Sequence, residues 1–398
     1  MGYGRFTMTS PRTPRRHRAE DRRRQLTSAA AALFSDRGYP HVSVSDVAAR
    51  AGVSTPTVYR HFADKQALLF AATQSSVDAF ESLTDGALAG APDPAAAVVS
   101  AATSLGLADP STSSLWRWSG QHLSDEQDRE VVRRTRTVLR RWAAAIAQRR
   151  PDLTERESMY LAGAMLSVAG SQIDRFGKGT RADVECTVRQ LIWRLFDLSP
   201  AQAAPLTEPV HPSAAGTGRR DEILDAAARL FVERGYPGTG MDDIGAAVGI
   251  TGPSVYKHFP SKDAILVAIS QRSALRLEAE AMAASLTTSD PAQLLDLLVD
   301  SYVQNITATP DLRVAFTSSY ALAGNPHAAE LAASQRRYVT RWIDLLVATR
   351  PQLSRRAATV AVHAALAVVN DAVRMPRSTP RPEFAARMAY LVKGLLHA

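Results

Sequence analysis

The feature that most constrains this chain is an internal repeat. The stretch GVSTPTVYRHFADKQALL, residues 52–69, returns as GITGPSVYKHFPSKDAIL, residues 249–266. The offset of 197 holds without a gap from Gln25–Ala71 onto Glu222–Ala268, with 21 identities in 47 positions. A match this long reflects duplication of a folded unit rather than a short solenoid period. Each copy reads as two short helices joined by a tight Gly-containing turn, the pattern that lays its second helix in a DNA major groove.

The residues of the first copy explain the pattern. Ser43 caps a helix, with Asp46 as a short capping-box acid. Val44, Val47, Ala48 and Ala51 recur at helical spacing, and Gly52 stops the helix because glycine takes the left-handed conformation cheaply. Ser54 or Thr55 opens the next helix, and Pro56 sits in its first turn, where a missing N–H costs nothing. Val58 and Phe62 turn inward. Thr55, Thr57, Tyr59, Arg60 and His61 form the other face, with side chains suited to phosphates and base edges. Lys65 lies near the start of the following helix, where a cation opposes the helix dipole unless a phosphate faces it.

A chain of 398 residues is too long for one ordinary domain and fits two halves. Cys186 is the sole cysteine, which excludes an intramolecular disulfide framework and suits a reducing cytoplasm. We read it as a buried small hydrophobe. The net charge is +8, and residues 1–24 supply +6 of it, eight arginines against Glu20 and Asp21. This basic stretch is either a phosphate- or minor-groove-binding arm or a solvated tail. No apolar run is long enough for a membrane span; the longest, Ala357–Val369, is broken by His363. The start lacks the apolar core of a secretory signal.

Helices are expected at Glu20–Arg37, in the doubled motif, from about Asp64 to Leu83, and at Pro94–Leu107, Leu115–Leu123, Asp125–Arg149, Glu155–Phe176 and Ala182–Leu198. A break at Asp109–Ser111, a loop at Gly86–Pro94 and a joint at Gly177–Gly179 separate them. The stretch Ser199–Gly218 contains Pro200, Pro205, Pro209 and Pro212 and reads as an extended linker. Arg219–Arg234, Ser261–Leu286, Pro291–Thr309, Asp311–Leu322, His327–Thr349, Ser354–Arg374 and Glu383–Leu396 repeat the plan. Arg141-Trp142 aligns with Arg341-Trp342 at an offset of 200, so the duplication reaches the C-terminal regions.

At ALFSDRGYPHVSVSDVAARAGVSTPTVYRHFADKQALL and ARLFVERGYPGTGMDDIGAAVGITGPSVYKHFPSKDAIL the chain resembles the TetR family of bacterial transcriptional regulators. The arrangement looks like single-chain tandem TetR regulators of actinobacteria, some of which control lipid and sterol uptake. The resemblance implies an all-α fold of two tandem units. Each unit has a helix-turn-helix DNA-binding domain and a helical ligand-binding and dimerisation domain, and the two pack as an intramolecular pseudo-dimer. The implied limits are 1–18 for a disordered basic arm, 19–66 and 67–198 for the first unit, 199–218 for the linker, and 219–263 and 264–398 for the second.

The resemblance also assigns DNA contacts. In the first copy they are Ser43, Ser45, Thr55, Pro56, Thr57, Tyr59, Arg60, His61 and Lys65, with Tyr59, His61 and Lys65 at phosphate-contacting positions. In the second they are Gly252, Pro253, Ser254, Tyr256, Lys257, His258 and Lys262, with Thr239 near the supporting helix. Gly252 replaces Thr55, Lys257 replaces Arg60 and loses the planar fork, Asp242 replaces Ser45, and Gly240 replaces the Ser43 cap. The copies should therefore prefer unequal half-sites in a double-stranded operator.

Residues 115–123, LWRWSGQHL, resemble a segment of lipid-responsive relatives that carries an Arg-Glu pair at the positions of Trp118 and Ser119. Candidate pocket residues are Trp116, Trp118 and Trp142 in the first half and Tyr302, Phe316, Tyr320, Trp342 and His363 in the second; core packing is the competing reading of these aromatics. No phosphate-cradling Gly loop, H-E-x-x-H, C-x-x-C or G-x-S-x-G occurs, and the histidines lack ligand spacing, so no enzyme, cofactor or metal site is expected. The sequence thus points to a DNA-binding regulator, a repressor released by a small hydrophobic effector such as a lipid or acyl-CoA. The alternatives are an architectural DNA-binding protein without effector, and a helical scaffold or enzyme. Pairing of C-terminal helices within one chain gives one two-headed molecule; pairing between chains gives a higher oligomer.

Overall fold

A computed structural model of the chain describes residues 15–107, 115–171, 181–206, 218–322, 324–374 and 383–397. Among these residues there are helices and turns and no strand. The first unit comprises α1 (Arg15–Arg37), α2 (Val44–Arg50), α3 (Thr55–Tyr59), α4 (Lys65–Leu88), α5 (Pro94–Leu107), α6 (Leu115–Trp118), α7 (Asp125–Arg149), α8 (Glu155–Gly170) and α9 (Arg181–Asp197). The second comprises α10 (Arg219–Arg234), α11 (Met241–Ala247), α12 (Gly252–Val255), α13 (Lys262–Thr287), α14 (Pro291–Ala308), α15 (Pro310–Thr317), α16 (Ala328–Thr349), α17 (Arg355–Arg374) and α18 (Glu383–His397). Short 3-10 turns at Ser119–His122 and Ser319–Leu322 precede α7 and α16.

Each unit has a small head with its own core. In the first, Leu26, Phe34, Val47, Val58, Phe62 and Leu68 pack together with Leu115. In the second, Ile223, Phe231, Ile244, Val255, Phe259 and Leu266 pack with Val314 and Leu322. The bodies behave differently: one continuous apolar core runs through both, from Trp142 and Leu161 of the first unit to Trp342 and Leu391 of the second. The reason lies in α8 and α17. Leu161, Ala162, Ala164, Met165, Leu166, Val168 and Ala169 are all buried, so α8 is covered on more than one face. Such a helix is hemmed in rather than surface-lying. In α17, Ala361, Val362, Ala364, Ala365, Val368 and Val369 do the same. Small side chains let these helices approach closely, α8 against α17 and α9 against α17 and α18. At the rim Arg194 donates to the Leu395 carbonyl at 3.3 Å, and Arg156 pairs with Glu383 at 3.6 Å.

Burial in this core accounts for the apolar character of α17, the one described helix long and apolar enough to cross a membrane by length and composition. On the outer side, α7 is tied to α4 by charge. Arg134 pairs with Asp78 and Glu81, and Arg141 with Asp85; further along α7, Arg149 pairs with Asp93 just before α5.

Several expectations are corrected. The first helix begins at Arg15, so Arg15 to Arg18 are helical rather than disordered; residues 1–14 lie outside the described residues. Helix α4 continues to Leu88 and the loop starts only at Ala89: Leu83, Ala87 and Leu88 pack against the core, which offsets the helix cost of Gly86. Helix α8 ends at Gly170, short of Phe176; residues 172–180 and 108–114 lie outside the described set. The linker does not begin as extended chain. Pro200–Gln202 form a 3-10 turn, the Ala201 N–H donates to Glu157 at 2.8 Å, and the Tyr390 hydroxyl meets Ser199 and Gln202. Residues 207–217, with Pro209 and Pro212, fall outside the description. Cys186 is exposed, not buried: Val184 and Val188 face inward on α9, and a residue two positions from each points away.

A shared core predicts shared unfolding. Leu161→Ala, at a site with no exposure, is expected to cost about 2–5 kcal/mol. It should move the urea transitions of both bodies together, with Trp142 and Trp342 as separate fluorescence reporters in single-tryptophan backgrounds. Two transitions, with only the first displaced, would show that the bodies fold independently.

Candidate nucleic-acid interface

In the first head the supporting helix α2 starts at a complete capping box. The Ser43 N–H donates to Asp46 at 2.7 Å and the Asp46 N–H to the Ser43 hydroxyl at 3.1 Å. The hydrogen bond from Ser43 holds the Asp46 carboxyl below its usual range. Ser43 Oγ also lies 2.7 Å from Ser45 Oγ, so Ser43 is spent on the cap, while Ser45 is exposed beside it. Gly52 has φ 64°, the left-handed turn between α2 and α3. Helix α3 then buries Val58 and, beyond its end, Phe62, and turns Pro56, Tyr59 and Arg60 to solvent with Thr55, Thr57 and His61 half-covered. Tyr59 is 54% exposed, an unusual state for a large ring. Arg60 closes the helix and His61 follows it.

The second head repeats this surface: Tyr256 is 55% exposed, Pro253 and Lys257 face solvent, and Ser254 and His258 are half-covered. Two of its departures turn out to be one. A Cβ on Gly252 would stand 1.8 Å from Asp242 Oδ1. The Asp242 carboxylate lies in the volume of the missing side chain, so the Asp in place of Ser45 and the Gly in place of Thr55 fit one another here. Gly252 is buried accordingly and offers nothing to a groove. At Gly240, half the capping box survives, with the Gly240 N–H donating to Asp243 at 2.8 Å.

One expected contact is corrected, and two expected phosphate contacts are engaged within the heads. Thr239 is 1% exposed and donates inward to the Gly235 carbonyl at 3.0 Å; it takes the place of buried Val42, not of a surface serine. Lys65 lies over the Tyr39 ring at 4.2 Å and donates to the Pro40 carbonyl at 3.4 Å. Lys262 lies over Tyr236 at 4.5 Å and donates to the carbonyls of Tyr236 and Thr239 at 2.8 Å each. Burial lowers the pKa of both ammonium groups. These lysines tolerate a helix N-terminus because carbonyl oxygens and an aromatic face receive their charge. They fasten the Gly-Tyr-Pro turn to the connecting helix.

A residue pair not singled out by sequence holds the recognition helices. Arg23 donates to the His61 carbonyl at 2.7 Å and stacks over Phe62 at 4.4 Å. Arg220 donates to the His258 carbonyl at 2.6 Å and stacks over Phe259 at 3.9 Å. Both guanidiniums meet the carbonyl end of the helix, where a cation is favoured. By position in the chain Arg23 belongs to the basic stretch; its equivalence to Arg220 at the repeat offset is the signal that separates it from that stretch.

The pocket candidates scatter. Trp142 is fully buried and donates to Thr84 at 3.0 Å. Tyr302, Tyr338 and Trp342 form an aromatic triad with centroids 5.9–6.3 Å apart. Trp116 and His363 are half-buried, Phe316 lies under Arg374 at 4.3 Å, and the Trp118 side chain lies outside the described residues. Tyr320 belongs elsewhere. Its ring meets His122 of the first unit edge-on at 5.0 Å, its carbonyl accepts from His41 at 3.3 Å, and His122 stacks on Tyr39 at 4.6 Å. The second body thus touches the first head directly. Burial, with the Lys65 charge, lowers the His122 pKa to about 4, and burial raises that of Tyr320 to about 12. No cluster of metal-ligating side chains occurs among the described residues.

Comparison with known proteins agrees with this geometry. The family described as "Bacterial regulatory proteins, tetR family" matches residues 26–72 and again 223–269, and "Tetracyclin repressor-like, C-terminal domain" matches 290–396. The transcriptional activator FasR of Mycolicibacterium smegmatis is 38% identical over 84 residues, 21% of this chain and 38% of that protein. The transcriptional repressor KstR2 of Rhodococcus jostii is 45% identical over 58 residues, 15% of this chain and 28% of that one. The chain thus spans well under half of these relatives. Among solved structures, the regulator PfmR from Thermus thermophilus matches with a TM-score of 0.37 and 26% identity, over 42% of this chain and 94% of that one.

Two outcomes are expected from these contacts. Gly252→Thr alone should lower stability by about 1–3 kcal/mol through the clash with Asp242. The double variant Asp242→Ser/Gly252→Thr should recover most of that loss, whereas additive effects in urea denaturation would separate the two positions. Between pH 6.5 and 4, His122 takes up a proton in the unfolded chain but not in the folded one. Its contribution to stability, full above pH 6.5, should therefore fall as the pH drops towards 4. His122→Phe should flatten that part of the Tm–pH curve; an unchanged slope would rule out a buried neutral His122.

Proposed function

The chain belongs to the TetR family, with two units in tandem, and on that premise we propose that it is a sequence-specific DNA-binding transcriptional regulator. In this reading it is a repressor released by a small hydrophobic effector, acting in the cytoplasm and without catalytic chemistry. The observation that carries it is the doubled recognition surface, in which an exposed Tyr, a cation and a His crown each short helix: Tyr59, Arg60 and His61, then Tyr256, Lys257 and His258. An exposed aromatic beside a cation has no folding role; it suits contact with phosphate and base edges. The DNA-contacting set is Ser45, Thr55, Pro56, Thr57, Tyr59, Arg60 and His61, with Pro253, Ser254, Tyr256, Lys257 and His258. Lys65, Lys262, Arg23 and Arg220 position these residues.

The two heads differ, so each operator half should differ. Arg60 can offer a bidentate fork to guanine where Lys257 offers a point charge. Asp242, exposed beside the second recognition helix, repels a phosphate and accepts from cytosine N4. The core shared by α8, α9, α17 and α18 supports a pseudo-dimer within one chain, its recognition helices about one DNA turn apart, roughly 34–36 Å. Domain limits near 19–66, 67–198, 219–263 and 264–398 follow the same reading.

A gel-shift series on DNA from upstream of the chain's own gene tests the proposal. Arg60→Ala should weaken specific binding by about 1–3 kcal/mol and relax preference at one position of one half-site only. Tyr59→Phe should weaken binding to all sequences alike. Failure of the parent protein to shift any such fragment at moderate salt would overturn the proposal.

A further inference from the structure

The two bodies share a plan but not an interior chemistry. In the first, the buried indole Trp142 is satisfied by Thr84, which is fully buried, and Phe80 packs edge-on against it at 5.1 Å. The repeat offset carries Phe80 to Leu277 and Thr84 to Ala281. The Trp342 indole N–H therefore has no hydrogen-bond partner among the described residues. The same helices replace Leu105 by Tyr302 at that offset, and Val138 by Tyr338 at the offset of 200 that aligns the tryptophans. The Tyr302 hydroxyl donates to Asn370 at 2.7 Å, but the Tyr338 hydroxyl, on a residue 5% exposed, is also unpartnered among the described residues. Two buried donors thus stand side by side, their rings 6.1 Å apart. Turning the indole N–H onto the Tyr338 oxygen would satisfy one of them and still leave the hydroxyl proton without an acceptor.

Leaving a buried donor unpaired costs about 1–3 kcal/mol each, and a duplicated body shows that the same fold can avoid the cost. An acceptor oxygen from outside the chain answers the hydroxyl proton that the Trp342–Tyr338 contact leaves over. Its charge is constrained as well. Burial above all raises the pKa of the Tyr338 hydroxyl, the neighbouring Trp342 indole N–H pulls it down, and the nearby charge of Glu280 adds to the rise against the smaller opposing charge of Arg341. Glu280 stands where the first unit has Leu83 and accepts from Ser301 and Asn305. Arg341, the nearest cation on α16, is taken up by Glu278 at 3.3 Å. At the Tyr338 hydroxyl the charge of Glu280 outweighs that of Arg341, so a carboxylate would meet net repulsion there.

We propose that effector binding is confined to the second unit, at the Tyr338 hydroxyl and the Trp342 indole N–H, and that the effector is an apolar molecule bearing an uncharged acceptor oxygen such as a ketone or ester carbonyl. The first body, apolar at the equivalent positions, is the fixed partner against which the second responds. This assignment rests on the reading of the chain as an effector-released regulator.

Benzophenone supplies a probe: two rings, one neutral carbonyl, and photochemical attachment to nearby C–H bonds. Irradiated with the full-length protein, it should label peptides from α14, α16 or α17 and leave those from α5 and α7 unlabelled. Diphenylmethane, which lacks the oxygen, and diphenylacetate, which carries a charge, should each compete at least about tenfold more weakly than unlabelled benzophenone. Tyr338→Phe should reduce labelling about tenfold. Ala281→Thr restores to Trp342 the partner that Trp142 has, and should both raise Tm and suppress labelling, which keeps the test decisive if Tyr338→Phe fails to fold. Equal labelling of both units, labelling indifferent to Ala281→Thr, or no labelling at millimolar probe would overturn the proposal. Gel shifts on the same samples separate it from the functional reading. Labelling without DNA binding removes the regulator and keeps the site; DNA binding with no labelling in the second unit removes the site alone.

Discussion

Everything in this molecule hangs on the close packing of α8 against α17. Each is an Ala- and Val-rich helix buried on several faces, and neither could remain so apolar if it stood at the surface of a lone unit. Their contact merges what would be two body cores into one. Around it the charged rim, Arg156 with Glu383 and Arg194 on the Leu395 carbonyl, fixes register more than it adds stability. The linker's first turn then docks on Tyr390 and Glu157 at the same seam.

From this seam the heads are held through a small number of polar clamps. Arg23 and Arg220 grip the ends of the recognition helices, and Lys65 and Lys262 grip the turns before α2 and α11. On one side only, Tyr320 of the second body touches His41 and His122 near the first head. The equivalents of these histidines are Gly238 and Leu322, so the contact has no mirror image. Helix α15 is tied to its own head through Arg272, which bridges Asp225 and Asp311, and the turn that follows α15 meets the first unit through Tyr320.

The doubled motif, its caps, its glycine turn and most helix bounds were legible because they rest on local signals: periodicity, Ser and Gly positions, and proline stops. What was not legible depends on tertiary direction. Lys65 reads as a free cation until Tyr39 and Pro40 are seen beneath it, and Arg23 reads as part of a basic tail until it meets the His61 carbonyl. Thr239 looks like a surface serine's neighbour but fills the site of Val42. Asp242 and Gly252 are ten residues apart in sequence, and only their contact shows that the two changes are linked. The aromatic stripes split as packing dictates, with Trp142 satisfied in the core, Tyr320 at the seam between units, and Tyr338 and Trp342 buried with donors to spare.

The central claim is that one chain does alone what two copies would otherwise do together. Native mass spectrometry of the protein, free and on a duplex carrying both half-sites, tests it directly. The account predicts a free species at the chain mass of 42.9 kDa and a complex of one chain per duplex. A stable free species of twice that mass, or a complex that forms only with two chains on one pair of half-sites, would contradict it.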